Sequence, residues 1–144
     1  MKSPDGQREC SNFHNHKRIA LSGKRTSKLY LHNPAQINVE QIEVDDCAIT
    51  EGRRCDWLVR VVDVPPNEEI FVELKGTGVS DAIIQLCESI AKLSVQKNTH
   101  PKRAVIVFTR NPMDGTDMQI HKAKFLKAFN ARLVLVKDNQ EIPL

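Results

Sequence analysis

The chain has 144 residues, of which 40% are hydrophobic and 27% are charged, and its formal net charge is +3. This composition is typical of one globular domain with a sizeable core. No apolar run approaches the roughly 20 residues that a membrane helix needs, and the polar start "MKSPDGQREC" is not a secretory signal. We therefore expect a cytoplasmic protein whose four cysteines are reduced, with a disulfide or zinc as the alternatives.

The first part of the chain is distinctly basic. Residues 1–28 hold seven Lys or Arg against Asp5 and Glu9, a net charge of +5, which leaves −2 for the rest. Such a segment suits a polyanion partner, although a solvated tail has the same composition. With little periodicity, residues 1–33 are predicted to be a flexible basic arm, with at most a short helix at 17–21. Residues 34–144 are predicted to form the folded domain.

Three strands are predicted next, over residues 37–49, 55–64 and 69–76. The segments between them, "TEGRR" and the Pro65-Pro66 stretch, are short and rich in turn residues. We therefore expect an antiparallel meander.

The second half alternates between helices and strands. A helix is predicted over 80–96 with Ser80 as its N-cap, then a buried strand over 104–109, a helix over 117–129 and a strand over 132–137. The predicted order is β-β-β-α-β-α-β. This is an α/β fold with a mixed sheet flanked by helices, in which the crossovers make the later strands parallel.

The third strand, "IFVELKG", carries Glu73 and Lys75 among apolar residues. Side chains alternate across a strand, so both point to one face, where burial is costly unless the charges are paired or bind a metal. In an antiparallel pair Asp56, at the start of the second strand, lies at the same end as Glu73. Two carboxylates meeting there suit a divalent cation. The alternative is an exposed edge strand with ordinary surface charges.

At these residues the sequence resembles the PD-(D/E)XK, or restriction-endonuclease-like, nuclease superfamily. Asp56, sixteen residues and then Glu73-Leu74-Lys75 match its motif, and Gln85 matches the helix glutamine of RecB-like members. The βββαβ order, over residues 37–136, is also similar to that of small Holliday-junction resolvases. The resemblance implies hydrolysis of phosphodiester bonds in DNA, less often RNA, with Mg²⁺ or Mn²⁺. It implies that Asp56 and Glu73 bind the metal, that Lys75 is the catalytic lysine and that Gln85 supports them.

The chain departs from the family pattern at two points. Cys55 stands where a proline often precedes the metal aspartate, and no suitable helix offers the glutamate that often precedes the first strand. Asp45 or Glu43 can replace that acid, and we expect Asp45 to be the third metal ligand. Without a third acid, a one-metal site or a catalytically inactive fold that binds nucleic acid or a protein becomes the alternative. The small size of the chain favours a homodimer or a larger assembly.

Overall fold

A computed structural model describes residues 1–23, 26–74, 78–110 and 115–144. Their nine strands and two helices are β1 (Ser11–His14), β2 (Arg18–Ser22), β3 (Lys28–His32), β4 (Val39–Glu43), β5 (Trp57–Val61), β6 (Glu69–Leu74), α1 (Val79–Leu93), β7 (Lys102–Phe108), α2 (Gly115–Phe129), β8 (Ala131–Lys137) and β9 (Glu141–Pro143). The predicted α/β class with a mixed sheet and two helices is confirmed. None of the helices described is both long and apolar enough to cross a membrane.

The central sheet has six strands in the order β1-β4-β5-β6-β7-β8. The pairs β4/β5 and β5/β6 are antiparallel, which confirms the predicted meander, and β1 adds a further antiparallel pair with β4. The pairs β6/β7 and β7/β8 are parallel. The two parallel pairs follow from the crossovers through α1 and α2. A second sheet has the order β2-β3-β9.

The two faces of the central sheet are covered differently. On β6, Phe71 belongs to an apolar cluster shared with Leu86 and Ile90 of α1. Its neighbours Ile70 and Val72 belong to a second cluster, shared with the small sheet. The alternation of strand side chains therefore separates a helix layer from a small-sheet layer. Residues at odd positions of β6, including Glu73, face the helices.

The predicted flexible arm is wrong for the described residues of the first 33. These residues supply β1, β2 and β3, and each strand pairs within a sheet. Each of β2 and β3 has apolar side chains alternating with polar or small ones, a short pattern that the surrounding charged residues obscured. Its apolar members, Ile19 and Leu21 on β2 and Leu29 and Leu31 on β3, are fully buried. These four side chains cover the face of the central sheet opposite the helices.

The first predicted strand is also shorter than expected. It ends at Glu43, and residues 44–56 form a loop in which Asp46 has a positive φ of 60°. Within it, the N–H groups of Cys47 and Ile49 both donate to the Val44 carbonyl. The apolar run that suggested a longer strand instead folds into the helix-side core.

Two further expectations need correction. Cys10 and Cys47 form a disulfide with a Cα–Cα distance of 5.7 Å, so the prediction of reduced thiols is wrong for this pair. The pairing of β1 with β4 brings the two residues together, although 37 positions separate them. The predicted N-cap is also wrong, because α1 begins after Gly78, whose φ of 79° is readily adopted only without a Cβ.

Candidate metal and phosphate site

The site is built at the end of the β5/β6 pair. Trp57 lies opposite Val72 in the antiparallel register, and the Asp56 N–H donates to the Val72 carbonyl at 3.0 Å. Asp56, which precedes Trp57, and Glu73, which follows Val72, therefore lie opposite each other across the pair. Asp56 is half-buried and Glu73 is 4% exposed. The structure thus places the two predicted carboxylates side by side.

Asp56 is held in place by the neighbouring backbone. Its Oδ2 accepts a hydrogen bond from the Leu74 N–H at 2.7 Å. A backbone donor of this kind fixes the carboxylate at the strand end.

The carboxylates face an open cavity of about 270 Å³. Its lining combines the predicted acids and glutamine with two arginines: Asp45, Gly52, Arg53, Arg54, Asp56, Glu73 and Gln85. A second cavity of about 160 Å³ shares Asp45 and Asp56 and is otherwise lined by Ser22, Gly23, Glu43 and Trp57. The two aspartates therefore separate two openings, one on the α1 side and one beside the end of β2.

Gln85 approaches the site from α1. With its amide nitrogen turned towards β6, it donates to Glu73 Oε2 at 2.5 Å and to the Asp81 carbonyl at 3.3 Å. The amide can do this because α1 packs on the face of the sheet to which Glu73 points. Gln85 therefore fixes the orientation of a nearly buried carboxylate.

Asp45 is engaged by an arginine. Arg54 Nε donates to Asp45 Oδ1 at 2.8 Å, and its Nη2 donates to Asp46 Oδ1 at 2.7 Å. The hydrogen bond and charge of Asp45, with those of Asp46, raise the pKa of the Arg54 guanidinium. The predicted third acid thus reaches the cavity as part of an ion pair, while Glu43 pairs with Arg8 at 2.9 Å.

Cys55, which precedes Asp56, has a structural role of its own. Its backbone N–H donates to Ser89 Oγ of α1 at 2.7 Å, a bond that a proline could not make. Burial, and to a lesser degree the charges of Glu73 and Asp56, raise the pKa of its thiol to about 12. Cys55 is therefore a neutral, buried anchor between β5 and α1.

The donor set is compatible with a divalent cation. Within the described residues, no group of three or more His, Cys, Asp or Glu side chains is arranged to hold a metal. Mg²⁺, however, commonly takes only one or two carboxylates and fills its shell with water. Asp56 and Glu73 supply two carboxylates at the edge of an open cavity. Lys75, the predicted catalytic lysine, lies outside the described residues.

Sequence reasoning underestimated some neighbours of the site. Arg53 and Arg54 belong to the short segment "TEGRR", and both line the cavity; Arg53 also pairs with Asp81 at 3.2 Å. Ser22 and Gly23 were assigned to the arm, and no signal in the sequence places them beside Asp56. Arg60, by contrast, is at the other end of its strand, paired with Glu69 at 3.2 Å.

Comparison with other proteins adds no assignment, since no protein-family model, curated protein or solved structure matches the chain.

Proposed function

We propose that the chain is a Mg²⁺- or Mn²⁺-dependent endonuclease of the PD-(D/E)XK type, with a restriction-endonuclease-like core, that hydrolyses phosphodiester bonds in DNA. The observation that carries the proposal is the juxtaposition of Asp56 and Glu73 across β5 and β6, at an open cavity. The motif places Lys75 two residues after Glu73, and α1 brings Gln85 to the same carboxylate. Four elements of one motif thus agree with one reaction.

In this reaction Asp56 and Glu73 would hold the cation. A bound Mg²⁺ or Mn²⁺ lowers the pKa of a coordinated water and offsets the charge that develops on the phosphate. Gln85 keeps Glu73 oriented through its amide hydrogen bond, and the Leu74 N–H keeps Asp56 at the strand end. Following the resemblance, Lys75 orients or deprotonates the attacking water, or stabilises the transition-state charge.

The arginines of the cavity suit a phosphate substrate. Arg53 and Arg54 line the same 270 Å³ space as the carboxylates, and side-chain exposures of 52% and 23% leave both accessible to a ligand. A guanidinium matches the oxygens of a phosphate in a two-point geometry. We expect Arg53, whose partner Asp81 is itself exposed, to exchange that partner for a phosphate on substrate binding.

The experiment pairs calorimetric titration of Mn²⁺ with cleavage assays on supercoiled plasmid, a four-way junction, a flap and single-stranded RNA. Asp56→Asn retains an acceptor for the Leu74 N–H, so it tests the charge with little disturbance of the backbone. We expect it to lose metal binding and to lower cleavage by roughly a hundredfold or more. Lys75→Ala should bind Mn²⁺ but not cleave.

A matched control is Glu88→Gln, on the exposed side of α1. It removes one carboxylate from the same helix layer and should leave metal binding and cleavage unchanged. Wild-type protein that neither binds Mn²⁺ nor cleaves any of the substrates would refute the proposal. Cleavage restricted to the RNA would retain the reaction but change the substrate.

The second candidate is a catalytically inactive nuclease fold that binds nucleic acid or a protein. The ion pair between Arg54 and Asp45 favours it, because the third acid is already neutralised by a guanidinium. In that case nucleic acid would bind without Mn²⁺ and remain intact. If the chain is active, a homodimer would present two such sites to the two strands of a duplex.

A further inference from the structure

The antiparallel hairpin formed by β2 and β3 has two very different faces. Ile19, Leu21, Leu29 and Leu31 point inward and are fully buried. Apart from Ala20, the outward positions are polar or basic, and they pair across the hairpin as Arg18 with His32, Ala20 with Tyr30 and Ser22 with Lys28. The apolar face fixes the hairpin on the central sheet, so the other face is presented to solvent on a rigid support.

This stretch also concentrates the positive charge of the chain. Residues 15–32 contain five Lys or Arg and no Asp or Glu. Of these, Lys17, Arg18 and Lys28 are described and exposed. Without the five cations, the net charge of +3 would become −2. The sequence segment 15–32 therefore accounts for the basic character of the protein.

The outer face contains a preformed cation–aromatic pair. The Arg18 guanidinium carbon lies 3.6 Å from the centre of the Tyr30 ring. This stacking restricts the arginine side chain before any ligand binds. The nearby acid Glu141, 3.5 Å from Arg18 Nε, is 42% exposed, so water and salt weaken its hold on the guanidinium.

The hairpin also reaches the candidate site. Trp57 Nε1 donates to the Ser22 carbonyl at 2.9 Å, which fixes the end of β2 against the start of β5. Ser22 and Gly23 then line the 160 Å³ cavity with Asp45 and Asp56. A basic surface beside the carboxylates attracts a phosphodiester towards them. The outer face of the hairpin is such a surface, because Ser22 and Gly23 at the end of β2 lie beside Asp45 and Asp56.

We propose that the outer face of the β2–β3 hairpin contacts the DNA backbone and guides a phosphodiester to the carboxylate cavity. The proposal deepens the nuclease function and rests on it for the role of the cavity. The contacts are to phosphates, made by Arg18, Lys28 and Lys17, so they give affinity and orientation without sequence preference. The Tyr30 ring stacks on the Arg18 guanidinium and restricts its position.

The test measures binding without cleavage. A fluorescein-labelled 20-base-pair duplex is titrated in EDTA with protein carrying Asp56→Asn, and anisotropy is followed between 50 and 200 mM salt. In this background the double variant Arg18→Gln/Lys28→Gln removes two hairpin charges. The control, Lys122→Gln/Lys127→Gln, removes two exposed charges from α2. Thermal unfolding verifies that all variants are folded.

We expect the hairpin variant to bind roughly tenfold or more weakly at 100 mM salt, with a salt slope about 2 smaller. The control should change affinity less than twofold. Equal binding by the two variants, or no duplex binding by the parent protein, would overturn the proposal.

The two proposals fail in distinguishable ways. If the wild-type protein never cleaves DNA but the hairpin variant binds the duplex more weakly than its parent, the nuclease function is refuted and the DNA-binding surface stands. If the hairpin substitutions leave metal-dependent cleavage and its KM unchanged, the nuclease function stands and the DNA-binding surface is refuted. Arg18→Lys refines the assignment, because it keeps the charge and removes the planar group stacked on Tyr30.

Discussion

Replacing Lys102 with methionine tests how the crossover segments are held together. Lys102, at the start of β7, is only 3% exposed. Its Nζ faces the carbonyl oxygens of Gln96 and Lys97 at 3.2 Å, Phe129 at 2.7 Å and His100 at 2.5 Å. Three of these belong to the loop after α1 and one to the end of α2. A single ammonium therefore joins both helix ends to the sheet.

The expected loss can be estimated from these contacts. An ammonium has three hydrogens, so at most three of the four carbonyls are fully bonded at once. Hydrogen bonds to a charged group contribute about 1.5–3 kcal/mol each, and the cost of burying the charge offsets part of this. We expect Lys102→Met to lower the free energy of unfolding by about 3 kcal/mol. With an unfolding entropy of about 0.3 kcal/mol/K for this length, Tm should fall by about 10 °C.

Urea unfolding followed by fluorescence of Trp57, the single tryptophan, would measure this change, with calorimetry for Tm. The control is Lys97→Met, which makes the same chemical change at an exposed position of the same loop. It should alter stability by less than about 0.5 kcal/mol. A loss below about 1 kcal/mol for Lys102→Met, or equal losses for both variants, would refute the reasoning.

Three further predictions concern cysteines and charge. Because Cys10 and Cys47 are bonded, the unfolded, unreduced chain should show two free thiols with a colorimetric reagent and four after reduction. Removing the bond with Cys10→Ser should lower the free energy of unfolding by about 4 kcal/mol, because the disulfide closes a long segment of chain. In the native protein at pH 8, peptide mass spectrometry should show that Cys87 is alkylated well before Cys55. Cys87 is half-buried, and burial raises the pKa of its thiol. The Cys55 thiol is fully buried and has a pKa of about 12, so its thiolate fraction at pH 8 is about 10⁻⁴. Arg54→Gln removes a guanidinium that neutralises acids at the cavity, so calorimetry should show tighter Mn²⁺ binding, by roughly tenfold.

Each of these expectations has a contradicting result. Four thiols before reduction would exclude the disulfide. Equal alkylation rates for the two free cysteines would show that β5 and α1 separate readily. Unchanged or weaker Mn²⁺ binding without the arginine would mean that the metal does not approach the acid it neutralises.

The meander and the meeting of Asp56 with Glu73 could be predicted because they follow from short-range rules. Connections without a crossover helix, such as residues 62–68 between β5 and β6, favour antiparallel neighbours, and alternation then decides which residues share a face. The same rules could have found the β2–β3 hairpin, where Ile19 and Leu21 alternate with polar residues. The density of charge around these short strands favoured a disordered arm instead.

Other features depend on contacts that local patterns do not encode. The disulfide joins residues 37 positions apart. Cys47, in the loop after β4, lies close to Cys10 only because β1 pairs with β4. The position of Asp45 beside Arg54 depends on a loop that turns at Asp46, whereas its sequence reads as a continuing strand. Long-range pairing and backbone conformation, rather than composition, determined both.

The small sheet has a consequence for how the protein is made. β3 pairs with β9, and the Lys28 N–H donates to Asp138 Oδ1 across 110 positions of sequence. During synthesis the β2–β3 segment emerges early, but the strands that cover its apolar face emerge later and β9 emerges last. Contacts so distant in sequence form slowly. Until those later strands are made, the apolar face of the β2–β3 segment has no partner surface, so we expect the small sheet to be completed late in folding.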